Sequence, residues 1–197
     1  MLQILIMLNK RLFIAIPISP SDGVLGMLKK ALEVDGFGEF KWVPVEFVHI
    51  TLRFLGDTPV NHIAQICDSI SQIASKTVPF RIEIQGYGLF QHFGGKGVLW
   101  LSLAPCAALQ EVYSLICKKL STICLPPTTS PFVPHFTIAR YKRLTHPDRF
   151  THWIRQHASM PPVRMDVGKI MLMESILQPT GSKYIPLVTW RLGVSNE

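Results

Sequence analysis

Phe47-Val48-His49-Ile50-Thr51-Leu52-Arg53-Phe54-Leu55 alternates at every step, with Val48, Ile50, Leu52 and Phe54 on one side and His49, Thr51 and Arg53 on the other. A period of two is the mark of a strand with one buried and one polar face. The pattern returns at Pro134-His135-Phe136-Thr137-Ile138-Ala139-Arg140, and the two histidines lie 135 − 49 = 86 residues apart. Sliding the chain by that same shift places Leu12-Phe13-Ile14-Ala15 on Val98-Leu99-Trp100-Leu101 and superposes the helical stretches that follow. Strand-helix-strand-helix-strand therefore occurs twice. The order predicts a mixed α/β (α+β) fold, duplicated and two-lobed with approximate twofold symmetry, in which each lobe presents its His-Thr strand to a common cleft.

Working outward, Arg11 to Pro17 reads as a strand, and Ser21 or Asp22 starts a helix that runs to about Glu33. Asp57-Thr58-Pro59 offers a cap and a first-turn proline for a helix striped by Ile63, Ile66, Ile70 and Ile73. Phe80–Ile84 and Val98–Leu103 are strands on either side of the glycine-rich turn Gly94-Gly95-Lys96-Gly97. Leu109–Leu120 is a helix, Pro126 to Pro131 a loop and Asp148–His157 a helix. Val163–Val167, Lys169–Leu177 and Lys183–Leu192 are strands, with a turn at Pro179–Ser182.

The chain has 197 residues, 48% of them hydrophobic and 17% charged, enough for one core and too few for two ordinary domains. The reading is one unit over residues 11–193 preceded by an N-terminal extension, 1–10, in which Met7 is a second candidate start. Met1 to Met7 is apolar but lacks the basic flank and small-residue cleavage site of a secretory signal, and Lys10 and Arg11 interrupt it before it reaches membrane-spanning length. Cys67, Cys106, Cys117 and Cys124 form no Cys-x-x-Cys pair, which fits reduced thiols in a cytoplasmic protein better than zinc or redox chemistry. The formal charge of +7 draws polyanions, so nucleic acid or a nucleotide is the first partner to consider.

In a strand, residues i and i+2 project together, so each motif sets an imidazole beside a hydroxyl. Two imidazoles can supply base and acid near neutrality: one removes a proton from water and the other gives one to a departing oxygen. The hydroxyls of Thr51 and Thr137 are donors for phosphoryl oxygens, and arginine adds a forked cation. By parity Arg53 shares the His49 face, whereas Arg140, five residues after His135, reaches the cleft only if its strand bulges or ends after Thr137. A strained cyclic phosphodiester suits such a site, because it needs proton transfer and charge stabilisation more than a metal.

Other features take the plainer reading. His62, His92, His146, His152 and His157 are scattered and form no metal-ligand pattern. The glycine cluster lacks phosphate-loop spacing and reads as a hairpin, and Lys29-Lys30 and Lys118-Lys119 are solvated helix faces. Trp42, Phe90 and Phe93 could stack a base at the cleft mouth, though packing is the first expectation for each.

These motifs, with the opening Arg11-Leu12-Phe13-Ile14-Ala15-Ile16, Trp42-Val43-Pro44, Glu174-Ser175 and Gly181-Ser182-Lys183-Tyr184, resemble those of the 2H phosphoesterases. More narrowly, the chain resembles the RNA 2',3'-cyclic phosphodiesterases, also called 2'-5' RNA ligases, from about Arg11 to Leu192. The resemblance implies two antiparallel sheets flanking a central cleft with helices outside, and hydrolysis of RNA 2',3'-cyclic phosphate ends to 2'-phosphomonoesters without a cofactor or metal. It implies His49 as proton donor to the 3'-oxygen, His135 as proton acceptor from water, and Thr51, Thr137 and Arg140 as phosphate ligands. The partner is then RNA with a cyclic phosphate end or a cyclic nucleotide, with no membrane, no obligate protein partner and a monomeric state expected. Two alternatives stay open: 2'-5' ligation by the reverse reaction, and a non-catalytic RNA- or nucleotide-binding module.

Overall fold

In the computed structural model, residues 9–123, 131–178 and 181–194 of the chain are described. The elements run β1 (Asn9–Pro17), α1 (Asp22–Ala31), β2 (Gly38–Trp42), β3 (His49–Pro59), α2 (Ile63–Lys76), β4 (Phe80–Gln91), β5 (Gly97–Leu103) and α3 (Ala107–Leu120), then β6 (His135–Leu144), α4 (Pro147–Gln156), β7 (Val163–Val167), β8 (Lys169–Gln178) and β9 (Gly181–Arg191). The strands order as β7-β4-β5-β6-β3-β1-β8-β9, with β2 also on β6. Every pairing is antiparallel. Among the described residues no helix is long and apolar enough to cross a membrane.

The order reads symmetrically outward from its middle, where β3 and β6 meet. That junction is narrow: a single residue pair, Ile50 with Phe136, joins the halves, so the two expected sheets form one curled surface hinged at the motif strands. Residues 38–42, not anticipated as a strand, take over the β6 edge where β3 leaves it, pairing Phe40 with Tyr141 and Trp42 with Ala139. Gly-Glu-Phe-Lys-Trp is too short and polar to show a strand pattern; its stability comes from Phe40, which stacks on Trp42 and packs against Tyr141 and Phe150.

The helices cover the sheet on one side. Ser21 caps α1 by accepting from the Val24 amide, and α1 buries Val24 and Met27; the Met27 carbonyl accepts from the buried Tyr87 hydroxyl at 2.7 Å. In α2 the predicted stripe buries Ile66, Ile70 and Ile73, each contributing roughly 1.5–3 kcal/mol through surface removed from water. The expected cap at Asp57-Thr58-Pro59 is instead the end of β3, paired with Arg11, Lys10 and Asn9, and α2 begins after a short 3₁₀ turn. The same pairing starts β1 two residues ahead of the predicted Arg11. On the opposite face of the sheet, Phe13, Ala15 and Met173 form a second, smaller apolar cluster flanked by Met171 and Tyr184. This explains why β1 reads as a continuous hydrophobic run: both of its faces are covered.

Between β4 and β5 the predicted hairpin forms, with Gly94 and Gly95 at φ of 78° and 74°. β4 itself runs on to Gln91, beyond the predicted end at Ile84, because residues 84–91 find partners on β5 while residues 80–84 pair with β7. Cys67, Cys106 and Cys117 are free thiols. The predicted loop residues 126–130, Cys124 and the turn residues Pro179 and Thr180 lie outside the described residues.

Candidate active site

Both motif strands carry the same irregularity. In β3 the pairing with β1 runs Ala15–Thr51 and then Ile14–Arg53, skipping Leu52; in β6 the pairing with β5 runs Trp100–Thr137 and then Leu99–Ala139, skipping Ile138. A bulge three residues after each histidine reverses the parity beyond it. Thr137 and Arg140 therefore face the same cleft, which meets the condition the sequence set for Arg140. The bulge acts oppositely on β3 and overturns the placement of Arg53. Arg53 is 4% exposed, turned to the helix side, and donates through Nη1 to the Cys117 carbonyl at 3.0 Å, in the last turn of α3. Phe54, predicted to be core, is 50% exposed and lines the cleft. Strict alternation over residues 47–55 holds only as far as Leu52.

The bulges also correct the internal alignment. The motif strands superpose with the shift of 86, but their partners do not: Ala15 stands opposite Thr51 as Trp100 stands opposite Thr137, a shift of 100 − 15 = 85.

An antiparallel crossing at Ile50–Phe136 sets His49 alongside Thr137 and Thr51 alongside His135. His49, Thr51, Thr137 and Arg140 line one cavity of about 220 Å³, and His135 stands just outside its lining. Each imidazole is anchored identically: His49 Nδ1 lies 2.7 Å from the Phe47 carbonyl and His135 Nδ1 lies 2.7 Å from the Val133 carbonyl. A carbonyl only accepts, so Nδ1 carries the proton in both rings and Nε2 is the atom left for chemistry.

Aromatic rings hold the imidazoles in place. Phe13 stacks on His49 at 4.9 Å and Tyr184 meets it edge-on at 5.3 Å; Phe90 meets His135 edge-on at 4.9 Å, and Trp100 lies against it at 5.6 Å. Gly88 makes room for this arrangement, since a Cβ there would overlap the Trp100 ring. Phe90 thus packs on a motif histidine, Trp42 packs on Phe40 and bonds Asp35 through Nε1, and the Phe93 side chain lies outside the described residues.

Burial lowers the pKa of both histidines. For His49 the backbone acceptor at Phe47 partly opposes this, while the charges of His135 and Arg140 add to it. For His135 the Val133 carbonyl opposes and Arg140 adds. The unliganded site therefore holds two neutral imidazoles at neutral pH, beside a cation whose field is open to an incoming anion.

A family profile described as the 2'-5' RNA ligase superfamily matches residues 30–177, well over half of the 197. The chain belongs to the 2'-5' RNA ligase superfamily. Among its relatives, the RNA 2',3'-cyclic phosphodiesterase of Aquifex aeolicus is 32% identical over 173 residues, covering 84% of this chain and 88% of that one. The protein of the same name from Archaeoglobus fulgidus is 30% identical over 175 residues, covering 88% and 96%. A crystal structure of a Thermus thermophilus protein shares the fold with a TM-score of 0.76 at 24% identity, covering 94% of this chain and 100% of that one.

For this member of the superfamily, the sequence reading missed two cleft residues from outside the motifs as chemical contributors. Arg11 and Tyr184 both line the cavity. They come from strands at opposite ends of the chain, and no local pattern links them to the histidines. Only the sheet order, which seats β1 between β3 and β8 with β9 beyond, brings them together.

Proposed function

We propose that this chain is an RNA 2',3'-cyclic phosphodiesterase that opens the terminal cyclic phosphate to a 2'-phosphomonoester by two-histidine acid-base catalysis, without a metal. The observation that carries the reading is the matched anchoring of His49 and His135 at one strand crossing, each with Nδ1 tied to main chain and Nε2 available. A binding module has no need of two identically prepared imidazoles. The names of the relatives from Aquifex and Archaeoglobus support the same substrate class.

In the proposed reaction the anionic cyclic phosphate sits among Thr51, Thr137 and Arg140, where two hydroxyl donors and a guanidinium receive its non-bridging oxygens. His135 Nε2 takes a proton from water as the water oxygen bonds to phosphorus. The bond from phosphorus to the 3'-oxygen breaks, and His49 Nε2–H gives its proton to that oxygen, leaving a 3'-hydroxyl and a 2'-phosphomonoester. Afterwards His135 holds a proton and His49 lacks one, and exchange with solvent resets the pair. His49 enters the cycle protonated because the substrate's negative charge offsets the burial that keeps it neutral in the free protein. The protein would act as a monomer in the cytoplasm.

The test is turnover of a nucleoside 2',3'-cyclic phosphate by purified protein in the presence of chelator, with the 2'- and 3'-monophosphates resolved. Production of the 2'-monophosphate, lost by about 10²- to 10⁴-fold in His49→Ala and in His135→Ala, is expected. Full turnover in either variant, or activity that chelation abolishes, would reject the mechanism.

A further inference from the structure

The two halves of the cleft match in their histidines and threonines and differ in charge. With the shift of 86, the position of Arg140 corresponds to Phe54. Lobe one thus has a phenyl ring where lobe two has its guanidinium. A cation is nevertheless present: the Arg11 guanidinium lies over the Phe54 ring at 4.8 Å from its centroid, and both residues line the same cavity as His49 and Arg140.

We propose that Arg11 binds the phosphodiester on the 5' side of the terminal nucleotide, so that it reads an RNA end rather than the cyclic phosphate itself. This rests on the phosphodiesterase reading above. Three observations carry it. Among the described residues no carboxylate lines the cavity; of the acids on the neighbouring strands, Glu174 is held by Lys10 at 2.6 Å, and Asp57, opposite Arg11 on β3, forms no ion pair with it, so the charge of Arg11 is left for a ligand. Held over the Phe54 ring, the Arg11 guanidinium makes no hydrogen bond or ion pair with another described residue, which leaves its fork of N–H donors to grip two oxygens of one phosphate. Finally, Arg11 stands away from the reacting centre. The Phe54 ring that carries Arg11 makes no ring contact with His49 among the described residues; each stacks instead on Phe13, at 6.4 and 4.9 Å between centroids, so two stacked rings separate the guanidinium from the imidazole. That offset suits the next phosphate along the chain, not a second grip on the first.

The experiment compares kcat/KM for a dinucleotide ending in a 2',3'-cyclic phosphate with that for the matching mononucleoside 2',3'-cyclic phosphate, in the native protein, Arg11→Gln and Arg11→Lys. Arg11→Gln should lose roughly ten- to hundredfold more on the dinucleotide than on the mononucleotide, through the lost charged hydrogen bonds, and Arg11→Lys should recover part of that difference. The dinucleotide preference of the native protein should also fall as salt rises, and less so in Arg11→Gln. Equal losses on both substrates would place Arg11 on the scissile phosphate and overturn the proposal. No loss on either would overturn it as well. If the native protein turned over neither substrate, the underlying activity would be refuted first, an outcome distinct from a protein that cleaves both without preference.

Discussion

Replacing Arg53 with methionine separates the bulged site from the regular strand that the sequence suggested. Were Arg53 on the His49 face, the variant would lose a phosphate ligand and remain as stable as the native protein. In the structure its guanidinium is buried and donates to the Cys117 carbonyl at 3.0 Å, at the end of α3 where the helix dipole favours a cation. Methionine keeps most of the side-chain volume and removes this charge-assisted bond, worth about 1.5–3 kcal/mol. For a domain of this length each kcal/mol shifts Tm by about 2–4 °C, which gives a fall of about 3–12 °C. Release of a buried cation from its desolvation cost offsets part of that, so the lower half of the range is expected. Calorimetry gives the melting shift, and kcat/KM on a nucleoside cyclic phosphate, measured well below the melting range beside Arg140→Met, gives the functional effect. Arg53→Met should keep kcat/KM within about tenfold of the native value, a drop attributable to small misplacement of the strand. A hundredfold loss with an unchanged Tm would refute the bulge argument and restore Arg53 to the cleft.

Arg140→Gln should lower kcat by about 10²- to 10³-fold while leaving Tm nearly unchanged, since the side chain is exposed and its proposed role is to meet developing charge; activity assays paired with thermal melts check this. Because burial depresses both imidazoles below their ordinary 6.5, the acid limb of the kcat/KM profile should fall below pH 6.5, and the limb for kcat, with the anionic substrate bound, should lie higher. The same depression makes the unfolded chain bind more protons, so stability is full above about pH 6.5 and declines as pH falls through the folded values, which urea titrations at pH 5 and 7.5 would show. Gly88→Ala forces the Trp100 ring off His135 and should cost about 1–3 kcal/mol together with a loss of turnover; a normal melt with unshifted tryptophan fluorescence would refute the packing argument.

Much of the site was legible because its chemistry is carried by a short repeated pattern. His49, Thr51, His135 and Thr137 sit where period two places them, since the strands stay regular through those residues. What the pattern could not show was the bulge after each threonine. The second copy nevertheless carried a signal: with the shift of 86, Arg53 falls on Ala139 and Phe54 on Arg140. An alanine at the fifth motif position marks a buried site, and an arginine at the sixth marks the open one. Reading each strand by parity alone concealed what aligning them would have revealed. β2 was missed for a different reason, because its five residues gain their order from the rings of Phe40 and Trp42 and the β6 edge, and the pattern of so short a segment shows none of this.

The asymmetry of the cleft follows from these placements. Duplication supplies two equivalent imidazoles, each locked in one tautomer by a carbonyl two residues upstream, and neutral rings related by symmetry cannot by themselves decide which gives a proton and which takes one. The charges break the tie. Arg140 stands on one side of the crossing, and Phe54 with Arg11 above it stands on the other, so an RNA end bound as proposed would meet two cations of unlike position that favour one direction over the other. A substrate laid one way presents its leaving oxygen to one histidine and its attacking water to the other. On the proposed mechanism, the division of labour between His49 and His135 would be set less by the histidines, whose surroundings are nearly alike, than by the two arginines that would fix which way the phosphate chain runs.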